Sequence, residues 1–423
     1  MKKKNLVVIC LDTLRRDMIH HMGVDFIQTP NLDAFARQSI LFENAYGEGL
    51  PTIQFRRAAM TGIRTFPWRF GEDTRGLYGK GMGWHKVPPE HTLLSEYLVR
   101  QGYATGLYAD TYHLFKPTMN FQRGFIAWEA IRGLEGDCYQ TGNFRKLDLS
   151  RHCLHPEDIY GNHFAYQYAW NMRKRRGEED WTTAQVFTKA SEFLEDNADN
   201  QPFFLWIDSF HPHEPFDPPK EYADLYYRND AVRDIWFAGH NKGMSEEETQ
   251  RCKALYYGLV TFVDKWVGRL LDRLKALGLE EDTIVAVVSD HGTELGEHGK
   301  LGKSPGNLYN AVTNLVFMLK VPGSGYENHR VKAFVQDHDY LPTFMNLLGL
   351  PYDSQVEGVD LWPLVKGKVD SIRDHIIGGW GPEAFVRDEQ WSYLANWNTM
   401  KHEALFHYPD DPTEQKDVAR SEE

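Results

Sequence analysis

"LVVICLD" (6–12), "YATGLYAD" (103–110), "PFFLWIDSF" (202–210), "DTIVAVVSD" (282–290) and "LVFMLKV" (315–321) are nearly all apolar and of strand length. A run apolar at consecutive rather than alternate positions must bury both faces, as strands do in a parallel sheet covered by helices. Helical patterning lies between these runs. In "ALYYGLVTFVDKWVGRLLDRLKALG" (254–278), Tyr256, Leu259, Val260, Val263, Val267, Leu270, Leu271 and Leu274 recur every three or four residues, one apolar stripe closed by Gly278. Strands alternating with helices predict an α/β sandwich around a mostly parallel central sheet. Past about residue 365 come short segments separated by turn residues, "HIIGGWGPEAFVRDEQWSYLANW" and "HEALFHYPDDP". They predict a small antiparallel sheet. The chain is thus expected to divide into a main domain over 1–365 and a subdomain over 366–423, in keeping with a length of 423 residues.

Several function classes fall away on composition. No stretch approaches the roughly 20 apolar residues that span a bilayer. The start, "MKKKNLVVICLDTLRRD", has an apolar run too short for a signal peptide, followed by charges rather than a cleavage site. It reads as a buried first strand, and a cytoplasmic location is expected. The four cysteines form no CxxC pair, so neither a disulfide scaffold nor a cysteine-rich zinc site is predicted. A net charge of −13 argues against general nucleic-acid binding.

Chemically active side chains gather at the carboxyl ends of strands in such sheets. That rule selects Asp12, Asp110, Asp208 and Asp290. One aspartate there is equally an ordinary turn residue, so the neighbours decide. In "VVSDHGTELGEHGKLGKSP", Asp290 and His291 stand together, and a carboxylate beside an imidazole ligates a divalent metal, with Asp12 as a second carboxylate. That mixed set suits one ion of Mn²⁺, Zn²⁺ or Ca²⁺. His298 and Lys303 lie on the same glycine-rich loop, where a cation faces a substrate oxyanion. "DSFHPHEPFDPP" holds His211 and His213 in a proline-stiffened loop suited to a proton donor, or carries them as incidental surface residues. In "LPTIQFRRAAMTG" (50–62), Pro51 is a good first-turn residue and Thr52 a good cap, so a helix with free N–H groups is expected to begin there. Such an end attracts anions, and Arg56 lies one turn along.

Together these pieces resemble the sulfatase branch of the alkaline phosphatase superfamily, nearest to its phosphonate monoester hydrolases and phosphodiesterases. The matching stretches are "DTLRRD", "TPNLDAFARQSILFENAY", "TIQFRRAAMTG", "GYATGLYAD", "FHPHEPFDPP", "DTIVAVVSDHGTELGEHGKLGK", "DHDYLPTFMNLLGLP" and "EALFHYPDDPTEQKDVA", in family order over nearly the whole chain. The resemblance implies an alkaline phosphatase-like sandwich with Asp12, Asp290 and His291 as metal ligands and Thr52 as nucleophile touching the metal. It implies that Arg56 and Lys303 stabilise charge and that His213 is the leaving-group acid. Thr13 stands where the family has a second aspartate. Asp110, Thr111 and Tyr112 replace its Lys-x-His motif, with His113 one place on. Thr13, Asp110, Tyr112, His113, His211 and His298 are therefore the candidate substrate-binding residues.

Sulfatases of this type oxidise a cysteine or serine to formylglycine, and threonine is not a substrate for that modification. A threonine hydroxyl beside a divalent ion is a competent nucleophile, and other branches of the superfamily use one on phosphorus. The expected activity is hydrolysis of phosphodiesters or phosphonate monoesters through a phosphothreonine. The alternatives are a sulfuric ester hydrolase, a phosphoryl or sulfuryl transferase, and an anion-binding pseudoenzyme. The expected partner is a small anionic ester. The aromatic-rich segment 111–180, with Tyr112, His113 and Tyr160, either shapes the pocket or packs in helices or against a second copy of the chain.

Overall fold

The structure, a computed structural model, describes residues 3–69, 81–116, 119–237, 239, 243–399 and 401–419. The consecutive apolar runs become β1 (Asn5–Leu11), β3 (Ala104–Ala109), β5 (Phe203–Ser209), β6 (Thr283–Ser289) and β9 (Phe317–Lys320). They join β2 (Ile40–Tyr46), β4 (Ala127–Ala130) and β10 (His329–Gln336) in an eight-stranded sheet of order β10-β2-β9-β6-β1-β5-β3-β4. All neighbours are parallel except β9, which runs antiparallel to both β2 and β6.

Every residue of β1, β5 and β6 is buried, because alternate side chains feed cores on opposite faces. Val7, Ile9 and Leu11 point into one core, which the long helix Glu246–Ala276 covers with Tyr256, Leu259, Val260, Val263, Val267 and Leu270. Leu6, Val8 and Cys10 point into the other, where Ile53, Phe55, Ala59 and Met60 of the helix Thr52–Thr61 pack. The long helix starts well before its apolar stripe, at a capping box in which the Ser245 Oγ accepts from the Glu248 N–H at 3.2 Å. Strands β2 and β10 carry no more than three consecutive apolar residues each. Glu43 and Asn44 interrupt the first, and the second is an edge strand with a mixed pattern.

The C-terminal antiparallel sheet is β11 (Ile376–Trp380), β12 (Glu383–Arg387), β13 (Trp391–Asn396) and β14 (Lys401–His407). It docks through Ile376, Phe385, Leu394 and Phe406 onto Tyr46, Leu50, Leu308 and Phe334 of the main domain. That contact carries the end of β11 to the carboxyl edge of the large sheet. The remaining strands, β7 (Glu294–Leu295) and β8 (Leu301–Gly302), pair within the glycine-rich loop. Among the described residues no helix is long and apolar enough to cross a membrane.

Candidate active site

Strands β6, β1, β5 and β3 are consecutive neighbours, and Leu11 pairs in register with both Ser209 and Ser289. Asp12 and Asp290 therefore leave the sheet side by side, with Asp208 adjoining on β5 and Asp110 beyond β3. Arg56 reaches this row from the helix Thr52–Thr61. Its Nη1 lies 2.6 Å from Asp290 Oδ2 and its Nη2 3.1 Å from Asp12 Oδ2. Nε and Nη2 grip both oxygens of Asp208 at 2.8 Å. All four side chains are fully buried, and such charges persist only when paired. Asp208, a strand-end aspartate with no role assigned from sequence, thus holds the arginine in place.

Asp12, Asp290 and His291 bring one ligand atom each within 4.8 Å of one another. His291 Nε2 lies 3.6 Å from Asp12 Oδ1 and from Asp290 Oδ2. Its Nδ1 donates to the Gly292 carbonyl at 2.9 Å, which leaves the Nε2 lone pair facing the carboxylates. That buried acceptor has no hydrogen-bond partner, and Asp12 Oδ2 has only its ion-pair contact with Arg56. Buried polar atoms are normally satisfied, and a divalent cation is the group that satisfies an imidazole nitrogen and two carboxylates at once. The residues fit such an ion. Burial pushes the Asp12 pKa well up, reinforced by Asp290. Burial also raises Asp290, but His291 and Arg56 outweigh it and hold that carboxyl below its usual range. Burial pushes His291 down to about 4, so it is neutral, as a ligand must be.

Thr13 braces this set. Its N–H donates to Asp290 Oδ1 at 3.0 Å and its hydroxyl to Asp12 Oδ1 at 2.9 Å. To do both it adopts φ 65, a left-handed conformation that costs a non-glycine residue about 1–2 kcal/mol. The Tyr256 hydroxyl pins its carbonyl at 2.9 Å.

Thr52 differs from its expected place in one respect. Pro51 occupies the cap position and Thr52 is the first helical residue, with no side-chain cap bond. The threonine side chain is not spent on the helix end. It lines a cleft of about 360 Å³ together with His213, Lys303, His113, Glu135 and Glu214. Trp84, Phe164, Phe237 and Trp380 give the cleft aromatic walls. Lys303 follows Gly302, whose φ of 88 and close approach to Glu214 suit only glycine. The Lys303 Nζ donates to Glu214 Oε2 at 2.7 Å. His213 Nδ1 donates to the Glu214 carbonyl at 2.6 Å, and burial, then Lys303, pushes its pKa well down. His113 Nε2 lies 3.2 Å from Glu135 Oε2, and the Tyr112 hydroxyl donates to the same oxygen at 2.7 Å. Burial raises Glu135, but His113, His213 and Tyr112 bring it down to about 2.

Other candidates lie elsewhere. Asp110 accepts from the Phe210 N–H at 2.7 Å, and burial raises its pKa to about 7. His211 pairs through Nδ1 with the Thr183 hydroxyl at 2.8 Å. His298 bridges Glu294 Oε2 and the Glu414 carbonyl, both at 2.9 Å, and so ties the loop to the C-terminal segment. None of these three is among the cleft-lining residues, nor is Tyr160, which is 88% exposed. Tyr112 sits behind His113, with ring centroids 4.1 Å apart. Phe164 falls in the aromatic-rich segment 111–180 expected to shape the pocket. Sequence reasoning missed Glu214, although it adjoins His213, and missed Glu135, Trp84, Phe237 and Trp380, which come together only through the fold.

The family model for sulfatases matches residues 4–350. An arylsulfatase of Clostridium perfringens is 27% identical over 100% of this chain and 91% of its own length. A choline-sulfatase of Rhizobium meliloti is 24% identical, covering 99% of this chain and 83% of its own. In fold, the chain is similar to a phosphonate monoester hydrolase of Agrobacterium radiobacter, with a TM-score of 0.76, 20% identity and coverage of 99% and 92%. The expected alkaline phosphatase-like fold is thereby shown. Both of these sequence relatives are sulfatases, whereas the phosphonate hydrolase is a likeness of fold, so the comparisons favour the sulfuric-ester alternative over the phosphorus reading.

Proposed function

Because the chain belongs to the sulfatase family, a family of metal-dependent ester hydrolases, we propose that it hydrolyses a small sulfuric ester in this cleft. The observation that carries the reading is the convergence of Asp12, Asp290 and His291 at the edge where Thr52, His213 and Lys303 line one cavity. A divalent ion held by those three ligands, Mn²⁺, Zn²⁺ or Ca²⁺ by its donor set, supplies Lewis-acid charge there. The Thr52 hydroxyl attacks sulfur as its proton passes to His213, and the bond to the leaving oxygen breaks. Lys303 faces the negative charge of the head group. His213, fixed through Nδ1 and neutral at rest, presents Nε2 to the cleft; it hands the Thr52 proton to the departing alkoxide, then takes one from the water that attacks sulfur and returns it to the Thr52 oxygen. The aromatic walls hold the leaving group.

Thr52 itself favours a second reading. A sulfothreonine lacks the hemiacetal route by which formylglycine releases sulfate, whereas a phosphothreonine is cleaved by water at phosphorus. A phosphodiester or phosphonate monoester is the substrate on that reading. Turnover of 4-nitrophenyl sulfate, bis(4-nitrophenyl) phosphate and 4-nitrophenyl phenylphosphonate, with each metal added in turn, tests both. A kcat/KM highest for the sulfate supports the first. The reverse order selects the second, and no turnover with any metal removes both.

A further inference from the structure

Lys303 is the one lysine or arginine among the described residues that line the cleft, and it does not stand alone. Its ammonium rests on Glu214, with both side chains only 9% exposed. Arg56, the other nearby cation, is engaged by three aspartates. Glu135 adds a second carboxylate to the same wall. Beyond the divalent ion that Asp12, Asp290 and His291 would hold, an incoming anion therefore meets one ammonium already matched by Glu214, and a second carboxylate besides.

We propose that Glu214 sets the charge of the ester this site accepts, holding Lys303 so that a head group with one negative charge is taken in preference to one with two. The inference rests on the preceding reading of the cleft as an ester site. Sulfate monoesters, phosphodiesters and phosphonate monoesters all carry one charge, whereas phosphate monoesters and free sulfate carry two. The first charge lies against Lys303. Beyond the divalent ion, the second finds no unmatched lysine or arginine among the described lining residues and faces the carboxylates of Glu214 and Glu135, in a partly desolvated cleft where charge interactions are several times stronger than in water. The same arrangement disfavours the doubly charged product, free sulfate, and so speeds its departure. Glu214 also receives the His213 Nδ1–H on its carbonyl, so one residue positions the ammonium and the imidazole together. It is a positioning residue, acting on substrate through Lys303.

Calorimetric binding of methanesulfonate, a singly charged anion with no ester bond, and of inorganic sulfate to the metal-loaded protein tests this without turnover. The wild type is expected to bind methanesulfonate the more tightly. Glu214→Gln, which keeps the size and removes the charge, should shift the ratio toward inorganic sulfate by on the order of tenfold. Glu214→Asp, which keeps the charge, should retain the wild-type order. A wild type that prefers inorganic sulfate overturns the inference whatever the variants do. So does a ratio that Glu214→Gln leaves unchanged while binding persists. If neither anion binds and the esters are not turned over, the reading of the cleft fails and the inference falls with it.

Discussion

Asp208 and Arg56 meet as two forks, Nε on Oδ2 and Nη2 on Oδ1 at 2.8 Å, with neither side chain exposed. The arginine is thereby aimed at Asp12 and Asp290, and its Nη1 also holds the Thr52 carbonyl at 3.0 Å. Removing it strands three buried carboxylates. Arg56→Met should cost about 3–5 kcal/mol of stability, the usual loss when one partner of a buried pair is deleted. A divalent ion relieves two of those carboxylates, so the loss should be larger after chelation than in the metal-loaded protein. Thermal melts of both forms check this; equal losses would show that Arg56 and the metal do not share the same charges.

Metal binding should depend on Asp290, because it and the adjoining His291 supply two of the three converging ligand atoms. Asp290→Ala is expected to weaken binding by at least about 100-fold, since losing even an outer partner of a ligand costs 10–100-fold. Equilibrium dialysis with metal analysis measures it. Full metal content in the variant would place the ion elsewhere.

The legible parts of this site were those written locally. Consecutive apolar runs gave away the inner strands, and their terminal residues Asp12, Asp208 and Asp290 converge because β6, β1 and β5 are neighbours in register. Strands β2 and β10 escaped notice because Glu43 and Asn44 interrupt the first and the second, at the sheet edge, mixes exposed with buried positions. Glu214 and Lys303 are 89 residues apart, and Trp380 arrives from the C-terminal sheet. Such pairings follow from topology, which a single sequence does not spell out. Thr52 was placed on the helix end but not in its role there, because one residue of register separates a cap from a first helical residue.

His298 links the glycine-rich loop to the C-terminal segment and gives that link a pH dependence. Burial lowers its pKa, but Glu294 and the Glu414 carbonyl outweigh it, so the folded value lies above the ordinary one of about 6.5. A raised folded value means stabilisation that is complete below about pH 6.5 and is lost as pH climbs through the folded value. As pH rises above about 6.5, the melting temperature should therefore fall more steeply in the wild type than in His298→Gln. Parallel curves would show that the bridge is neutral throughout.

His213 should matter in proportion to how badly the leaving group needs a proton. General acid catalysis contributes about 10²–10⁴-fold, most of it for poor leaving groups. His213→Ala is expected to lose that much on an alkyl ester and far less on a 4-nitrophenyl ester, whose phenolate departs unaided. Equal losses on the two would limit the imidazole to binding.

Thr52 carries the sharpest expectation, because the two readings of the chemistry differ in what becomes of it. As nucleophile, its loss in Thr52→Ala should lower turnover by roughly 10³-fold or more. The fold and much of the metal affinity should remain, since Asp12, Asp290 and His291 supply the ligand set without it. Thr52→Ser keeps the hydroxyl and should keep partial activity. An acid quench during turnover should trap the transferred group on the peptide holding residues 50–62, and its mass identifies the element attacked: phosphate marks the phosphorus reading, sulfate the sulfuric ester. Thr52→Cys restores the residue that family maturation enzymes oxidise, although Gln54 and Phe55 replace the Pro-Ser that normally follows it toward the arginine. A rise in sulfatase activity in a host with that enzyme would show that the scaffold retains formylglycine chemistry. Near wild-type turnover by Thr52→Ala, with no trapped adduct, would make water the nucleophile and end the case for covalent catalysis at this position.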